Sequence, residues 1–134
     1  MKQIKRGEIW YVNLDPTRQA KLGKSSERRS ARTRCGDEAN KQRPCLIIQN
    51  NLGNLHSRKT IVVPFLKPNK YPFVVIVKAS KTNNLDRDRG LDLSHIRSVS
   101  QSRIANKLGE LEDMYWGKIK KAVLIQLGFD EMFA

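Results

Sequence analysis

The first patterned stretch of the chain is Gly7-Glu8-Ile9-Trp10-Tyr11-Val12-Asn13-Leu14, dense in aromatic and β-branched residues and stopped by Asp15-Pro16. That composition, closed by a turn pair, predicts a first strand. After Arg43-Pro44 comes Cys45-Leu46-Ile47-Ile48, a continuous apolar run of the kind shown by a strand buried on both faces, and Asn50-Asn51-Leu52-Gly53-Asn54 behind it reads as a turn. Thr60 to Phe65 and Tyr71 to Val77 repeat the strand signature, with Pro72 marking an edge or a strand start. A weaker strand spans Leu91 to Val99; alternation sets Leu93, the stem of His95, Arg97 and Val99 on one face and Ser94, Ile96 and Ser98 on the other. From Glu112 to Leu127 the period changes. Tyr115, Ile119, Ala122, Val123 and Leu127 fall at helical spacing while Lys118, Lys120 and Lys121 fall elsewhere on the wheel, which predicts one amphipathic helix. Asp113 suits the positive end of its dipole, Gly128 is a left-handed terminator, and Phe129 is expected to fold back as the accompanying hydrophobic contact. Several short strands with one terminal helix predict a mainly β fold, a small barrel carrying a C-terminal helix.

The stretch from Arg18 to Cys35 breaks this pattern. It carries seven basic residues against the single acid Glu27, with Leu22 as its only large apolar side chain, so it cannot bury enough surface to order itself. It reads as a basic, mobile insertion at about 18–35 within one domain, 1–134, since 134 residues suffice for one core and are too few for two ordinary ones. Lys and Arg number 26 against 13 Asp and Glu, a net charge of +13. A field of that sign points to a polyanion, because each phosphate neutralised releases counterions and contributes sequence-independent affinity. Arg18, Lys21, Lys24, Arg28 and Arg29 of this region, with Lys41 after it, are the cations expected to meet that polyanion, RNA or DNA. The N-terminal residues have no apolar core of signal-peptide length, and runs such as Leu46-Ile47-Ile48 are far too short to span a bilayer, so a cytoplasmic location is expected. Cys35 and Cys45 are too few for a zinc cluster without His partners nearby and are read as free thiols.

Lys5-Arg6-Gly7-Glu8-Ile9-Trp10-Tyr11-Val12, Leu14-Asp15-Pro16-Thr17, Arg43-Pro44-Cys45-Leu46-Ile47-Ile48-Gln49-Asn50, Thr60-Ile61-Val62-Val63-Pro64, Tyr71-Pro72-Phe73, Leu93-Ser94-His95-Ile96-Arg97 and the tail from Leu108-Gly109 to Leu127-Gly128 follow one another in an order that resembles the MazF/PemK family of toxins. The resemblance covers nearly the whole chain except roughly residues 18–35. No single piece is decisive; their order and spacing are specific. It implies an SH3-like barrel of the MazF/CcdB type that pairs as a homodimer, cuts single-stranded RNA at short sequences without metal or other cofactor, is held by a cognate antitoxin, and meets operator DNA only through the antitoxin complex.

Metal-free RNA cleavage uses the substrate's own 2′-hydroxyl as nucleophile, so the protein must take up a proton, supply one to the leaving 5′-oxygen and neutralise the phosphorane. The resemblance assigns the last task to Arg43, whose planar fork stays charged and fits two phosphate oxygens at once. It also implies a catalytic Glu in the preceding loop, a spacing that Glu38 meets. Two departures stand out. Where the family commonly carries a Thr two residues after the Pro of the third strand, this chain has Leu66, which can neither donate nor accept a hydrogen bond. Thr60, Lys67 or Ser57 are the nearby groups expected to take over that contact; failing them, turnover falls and the protein mainly binds. Where the family usually has Gln, this chain has His95, either an acid-base group or a base-reading or packing residue. Arg97 on the same strand reaches either RNA backbone or a carboxylate, and Tyr71 and Phe73 either stack an unpaired base or, for Phe73, join the core. Trp10 and Trp116 read as core or dimer contacts. The rival to an endoribonuclease is therefore a catalytically weak or silent module of the same fold that binds nucleic acid or antitoxin. A gyrase-poisoning relative of the fold is a third reading.

Overall fold

The computed structural model describes residues 3–14 and 42–132. Seven strands form one antiparallel sheet: β1 (Glu8–Asn13), β2 (Gln42–Ile47), β3 (Lys59–Leu66), β4 (Val74–Val77), β5 (Arg89–Asp92), β6 (Arg97–Ser100) and β7 (Ile104–Glu110). Their order is β4-β5-β3-β2-β1-β7, with β6 paired to the early part of β3. The class is the expected one, mainly β with a C-terminal helix, but the hydrogen-bonded path is open and ends at β4 and β7 instead of closing. The basic insertion at 18–35, together with Glu38, Lys41 and Cys35, lies outside the described residues.

Central strands are buried on both faces, which is why their sequences read as continuous apolar runs. Ile9, Leu46, Val63 and Phe65 point to the larger core, where Val75, Val77, Leu91 and Leu93 join them under Tyr115, Ile119 and Ala122 of the C-terminal segment. Trp10, Val12, Cys45, Ile47 and Val62 point the other way, into a smaller core completed by Ile4, Val99 and Ile104.

Three expectations are corrected by local hydrogen bonding. Asn50–Asn54 is no simple turn: Asn50 caps a short helix, α1 (Asn51–His56), its side chain accepting from Gly53 N at 2.7 Å, and Asn54 turns inward to accept from Thr60 Oγ1 at 2.6 Å. The weak strand from Leu91 to Val99 is two strands split by a 3₁₀ turn, Leu93–His95, because the Asp92 carboxylate accepts from Ser94 N at 3.0 Å and caps it. The strand expected from Tyr71 begins at Val74, whose N–H bonds back to Tyr71 O.

Most of the predicted terminal helix forms as α2 (Trp116–Gln126) after a 3₁₀ turn at Asp113–Tyr115. Gly128 is the left-handed terminator expected, with φ +79°. Phe129 does not fold back; it opens a further short helix, α3 (Phe129–Met132), and is 43% exposed.

Candidate active site

Cross-strand register assembles the site. Antiparallel pairing sets Trp10 opposite Cys45 and Val12 opposite Arg43, and on the other side Cys45 opposite Pro64 and Ile47 opposite Val62. The β2–β3 pairs end at Cys45 and Pro64; Arg43 lies two residues further along β2 and Leu66 two further along β3, so alternation sets both on the face of Cys45 and Pro64. Val62 in turn stands opposite Arg97 on β6. Residues directly opposite share a face, and so do alternate residues of one strand. Arg43, Leu66 and Arg97 therefore share the face whose floor is Cys45, Ile47 and Val62.

Arg43 and Arg97 are exposed at the rim of that floor. Arg97 stands across from Val62, four residues back along β3 from Leu66, so the two arginines lie at different points along that face on either side of Cys45. Burial pushes the Cys45 thiol up to about 12, and the positive charges of Arg97 and Arg43 are the two influences that oppose it. Both guanidiniums thus act on one buried sulfur, while among the described residues no carboxylate forms an ion pair with either. Cys45 itself is a free, fully buried thiol held neutral, a packing residue and no nucleophile.

Other candidates fall in different places. Leu66 is half-buried at the end of β3, opposite Gly90, and Lys67 follows it in the open. Thr60 is corrected: it is wholly buried six residues back along β3 with its hydroxyl donated to Asn54, so it offers nothing to RNA. Ser57 accepts from Lys59 N at 3.0 Å at that same remote end of the strand. His95 is largely exposed, its Nε2 3.9 Å from Asp92 Oδ2. Arg18, Lys21, Lys24, Arg28, Arg29, Glu38 and Lys41 lie outside the described residues. Among the described residues no group of three or more His, Cys, Asp or Glu is placed to hold a metal ion, and no helix is long and apolar enough to cross a membrane.

Two supporting networks escaped sequence reasoning, because each joins residues distant in the chain. Glu8 Oε1 accepts from Trp10 Nε1 at 3.0 Å and Lys5 N at 2.9 Å, and its Oε2 meets Lys107 at 3.1 Å. Burial raises the pKa of this carboxyl, but those donors outweigh it and hold the group below its ordinary value. Glu112 accepts from Ser80 Oγ and from Asn83 Nδ2, pinning the loop before β5 to the start of the C-terminal segment. Both tryptophans read as core or dimer contacts lie inward: Trp10 is in the smaller core, and Trp116 packs on the larger one beneath Arg6, whose guanidinium carbon is 4.8 Å from its ring centroid.

Comparison with known proteins agrees with this frame. A family model described as PemK-like, MazF-like toxin of type II toxin-antitoxin system matches residues 5–127. Endoribonuclease EndoA of Bacillus subtilis is 28% identical over 127 residues, covering 92% of this chain and 94% of its own. Endoribonuclease MazF9 of Mycobacterium tuberculosis is 28% identical over 131 residues, covering 92% and 96%. The crystal structure of MazF (Form-I) from Deinococcus radiodurans superposes with a TM-score of 0.66 at 21% identity, covering 96% of this chain and 99% of that one. A mycobacterial endoribonuclease in complex with its cognate antitoxin gives a TM-score of 0.65 at 18% identity, with 93% and 95% covered. The structural likeness establishes a shared fold, and the family model spans nearly the whole sequence: the chain belongs to the PemK-like, MazF-like toxin family of type II toxin-antitoxin systems.

Proposed function

We propose that this protein is an endoribonuclease toxin that cleaves single-stranded RNA at short sequences, in the cytoplasm and without a metal ion, as a homodimer restrained by a cognate antitoxin. Operator DNA is met only through the antitoxin complex. The observation that carries the reading is the pair of exposed guanidiniums, Arg43 and Arg97, on one sheet face with no described carboxylate to neutralise them. Two permanently charged forks beside an apolar floor, with no carboxylate partner among the described residues, suit a phosphodiester.

In the reaction, the 2′-oxygen attacks the adjacent phosphorus, its proton passes to a base, and the 5′-oxygen leaves with a proton, giving a cyclic phosphate and a free 5′-hydroxyl. Arg43 neutralises the phosphorane, where a preorganised charge is worth more than in water. Arg97 holds the neighbouring backbone. Glu38, by family resemblance, takes the proton, and His95, two residues before Arg97, is the other acid-base candidate.

Cleavage of a single-stranded RNA in EDTA tests this. Wild type is expected to cut and Arg43→Ala to lose all cleavage at an unchanged melting temperature, since an exposed strand-entry side chain carries little core energy. A wild type that leaves every RNA intact sinks the enzyme reading and leaves a binding module, the alternative that Leu66 favours.

A further inference from the structure

Beyond Leu66, on the side of the sheet that carries the larger core, the chain builds a surface that the catalytic reading does not use. The Tyr71 and Phe73 rings stack in parallel, centroids 5.2 Å apart and planes 7° from each other. Phe73 packs against the larger core, whereas Tyr71 is 61% exposed. One face of the Tyr71 ring is thus covered by Phe73 and the other is open to solvent.

The loop that carries the pair is fixed. Asn69 Oδ1 accepts from Tyr71 N at 2.9 Å, Tyr71 O accepts from Val74 N at 3.0 Å, and Phe73 O accepts from Leu93 N at 3.0 Å. Gly90, opposite Leu66, lets the loop lie down: a Cβ there would come within 3.0 Å of Lys67 O and Pro68 Cα. Next to Pro72 a hollow of about 410 Å³ opens between β4 and α2, with Val74 and Ile76 on one side and Lys118 and Lys121 on the other. Tyr71 is five residues from Leu66, so it stands within about 17 Å of it even if the chain were fully extended.

We infer that this shelf holds a single-stranded segment of RNA flanking the cleaved bond, one unpaired base stacked on the open face of Tyr71 and the backbone beside it on Lys118 and Lys121. The inference rests on the ribonuclease reading and extends it to a second contact region. A flat aromatic face on a hydrogen-bonded loop, one residue before a hollow lined by Lys118 and Lys121, suits an unpaired base and its backbone, because every base has a π-face and stacking tolerates sequence. An acidic peptide would be drawn by the lysines but gains nothing specific from a ring stacked in parallel.

The test is binding of a fluorescein-labelled 2′-O-methyl RNA, which has no free 2′-hydroxyl and stays intact, measured by anisotropy with the full chain over a range of salt. Tyr71→Ala is expected to weaken binding about 5- to 150-fold, the span of one base stacked on one ring, with the salt slope unchanged. Tyr71→Phe and Tyr71→Trp are expected to keep wild-type affinity. The double variant Lys118→Ala/Lys121→Ala is expected to lower the slope by about 1.4, at about 0.7 for each phosphate contact on a single strand. Equal affinity of wild type and Tyr71→Ala overturns the proposal. So does a Phe variant as weak as Ala, which would make the contact a hydroxyl hydrogen bond. Variants that bind the RNA normally but lose a polyglutamate peptide would mark a peptide surface and overturn it as well. A protein that cleaves RNA while these variants bind alike loses only this inference, whereas one that neither binds nor cleaves loses the function reading with it.

Discussion

Leu66→Thr restores the hydroxyl that the family pattern carries, and its effect can be bounded from the structure. Leu66 is half-buried on the face of Arg43, at the end of β3 opposite Gly90. Threonine suits an extended backbone, so the substitution costs chiefly the lost apolar contact, about 1 kcal/mol for a partly buried side chain of this size. Against that stands the gain at the phosphate. A preorganised donor of this type is worth on the order of 10²–10³ in rate where the site has been shaped around it. Here it has not been, and an increase of about tenfold, equivalent to about 1.4 kcal/mol, is expected. Leu66→Val provides the control, since it has the same branched shape without the hydroxyl. Single-turnover cleavage at saturating enzyme isolates the chemical step from binding, and the ratio of Thr to Val rates isolates the oxygen. Equal rates for the two variants would refute the reasoning, because position 66 would then not face the scissile phosphate.

Thr60→Val removes a buried hydroxyl but leaves Asn54 Oδ1 its second donor, Gln49 Nε2 at 3.1 Å, so a loss of about 1 kcal/mol by urea denaturation is expected with RNA affinity unchanged; a specific loss of affinity would put Thr60 on the RNA. Glu8 has a folded pKa below its ordinary value, so it adds stability above its unfolded pKa of about 4.3 that is lost as pH falls through the folded value. The melting temperature of wild type is therefore expected to fall more steeply below about pH 4.5 than that of Glu8→Gln, and parallel curves would count against the Glu8 network.

The strands legible in the sequence are those whose burial is two-sided or strictly alternating. β1, β2 and β3 announce themselves through Ile9-Trp10, Cys45-Leu46-Ile47 and Val62-Val63, residues that feed both cores. β7 escapes notice because Ile104 is its one fully buried residue, and Asn106, Lys107 and Gly109 look like a loop; it is a strand because β1 pairs with it through two register irregularities. α1 escapes because Asn and Gly signal turns locally, while the Asn50 cap and the inward turn of Asn54 become evident only when Thr60 arrives from β3. For the site, Arg43 stands out beside Pro44. That Arg97 shares its face does not, because this depends on two strand registers in succession, which no local spacing encodes.

The polar groups around Leu66 indicate what kind of site this is. Thr60 lies six residues back along β3, about 20 Å at the rise of a strand, and its hydroxyl is already donated. Ser57 lies beyond it, at the same remote end. Of the groups nominated to replace the missing hydroxyl, only Lys67 is adjacent in the chain and exposed. A lysine can stabilise charge on a phosphate, but it lacks the fixed fork of Arg and cannot accept a proton while charged. The described part of the site therefore has positive charge in excess and little to direct a proton; on the proposed reading Arg43, Arg97 and Lys67 would hold a phosphodiester and proton transfer would fall to Glu38 or His95. On that reading the site would bind RNA more readily than it turns it over. On this argument the step limited by Leu66 is the chemistry and not the grip, so Leu66→Thr should change the single-turnover rate while leaving affinity for an uncleavable strand where it was.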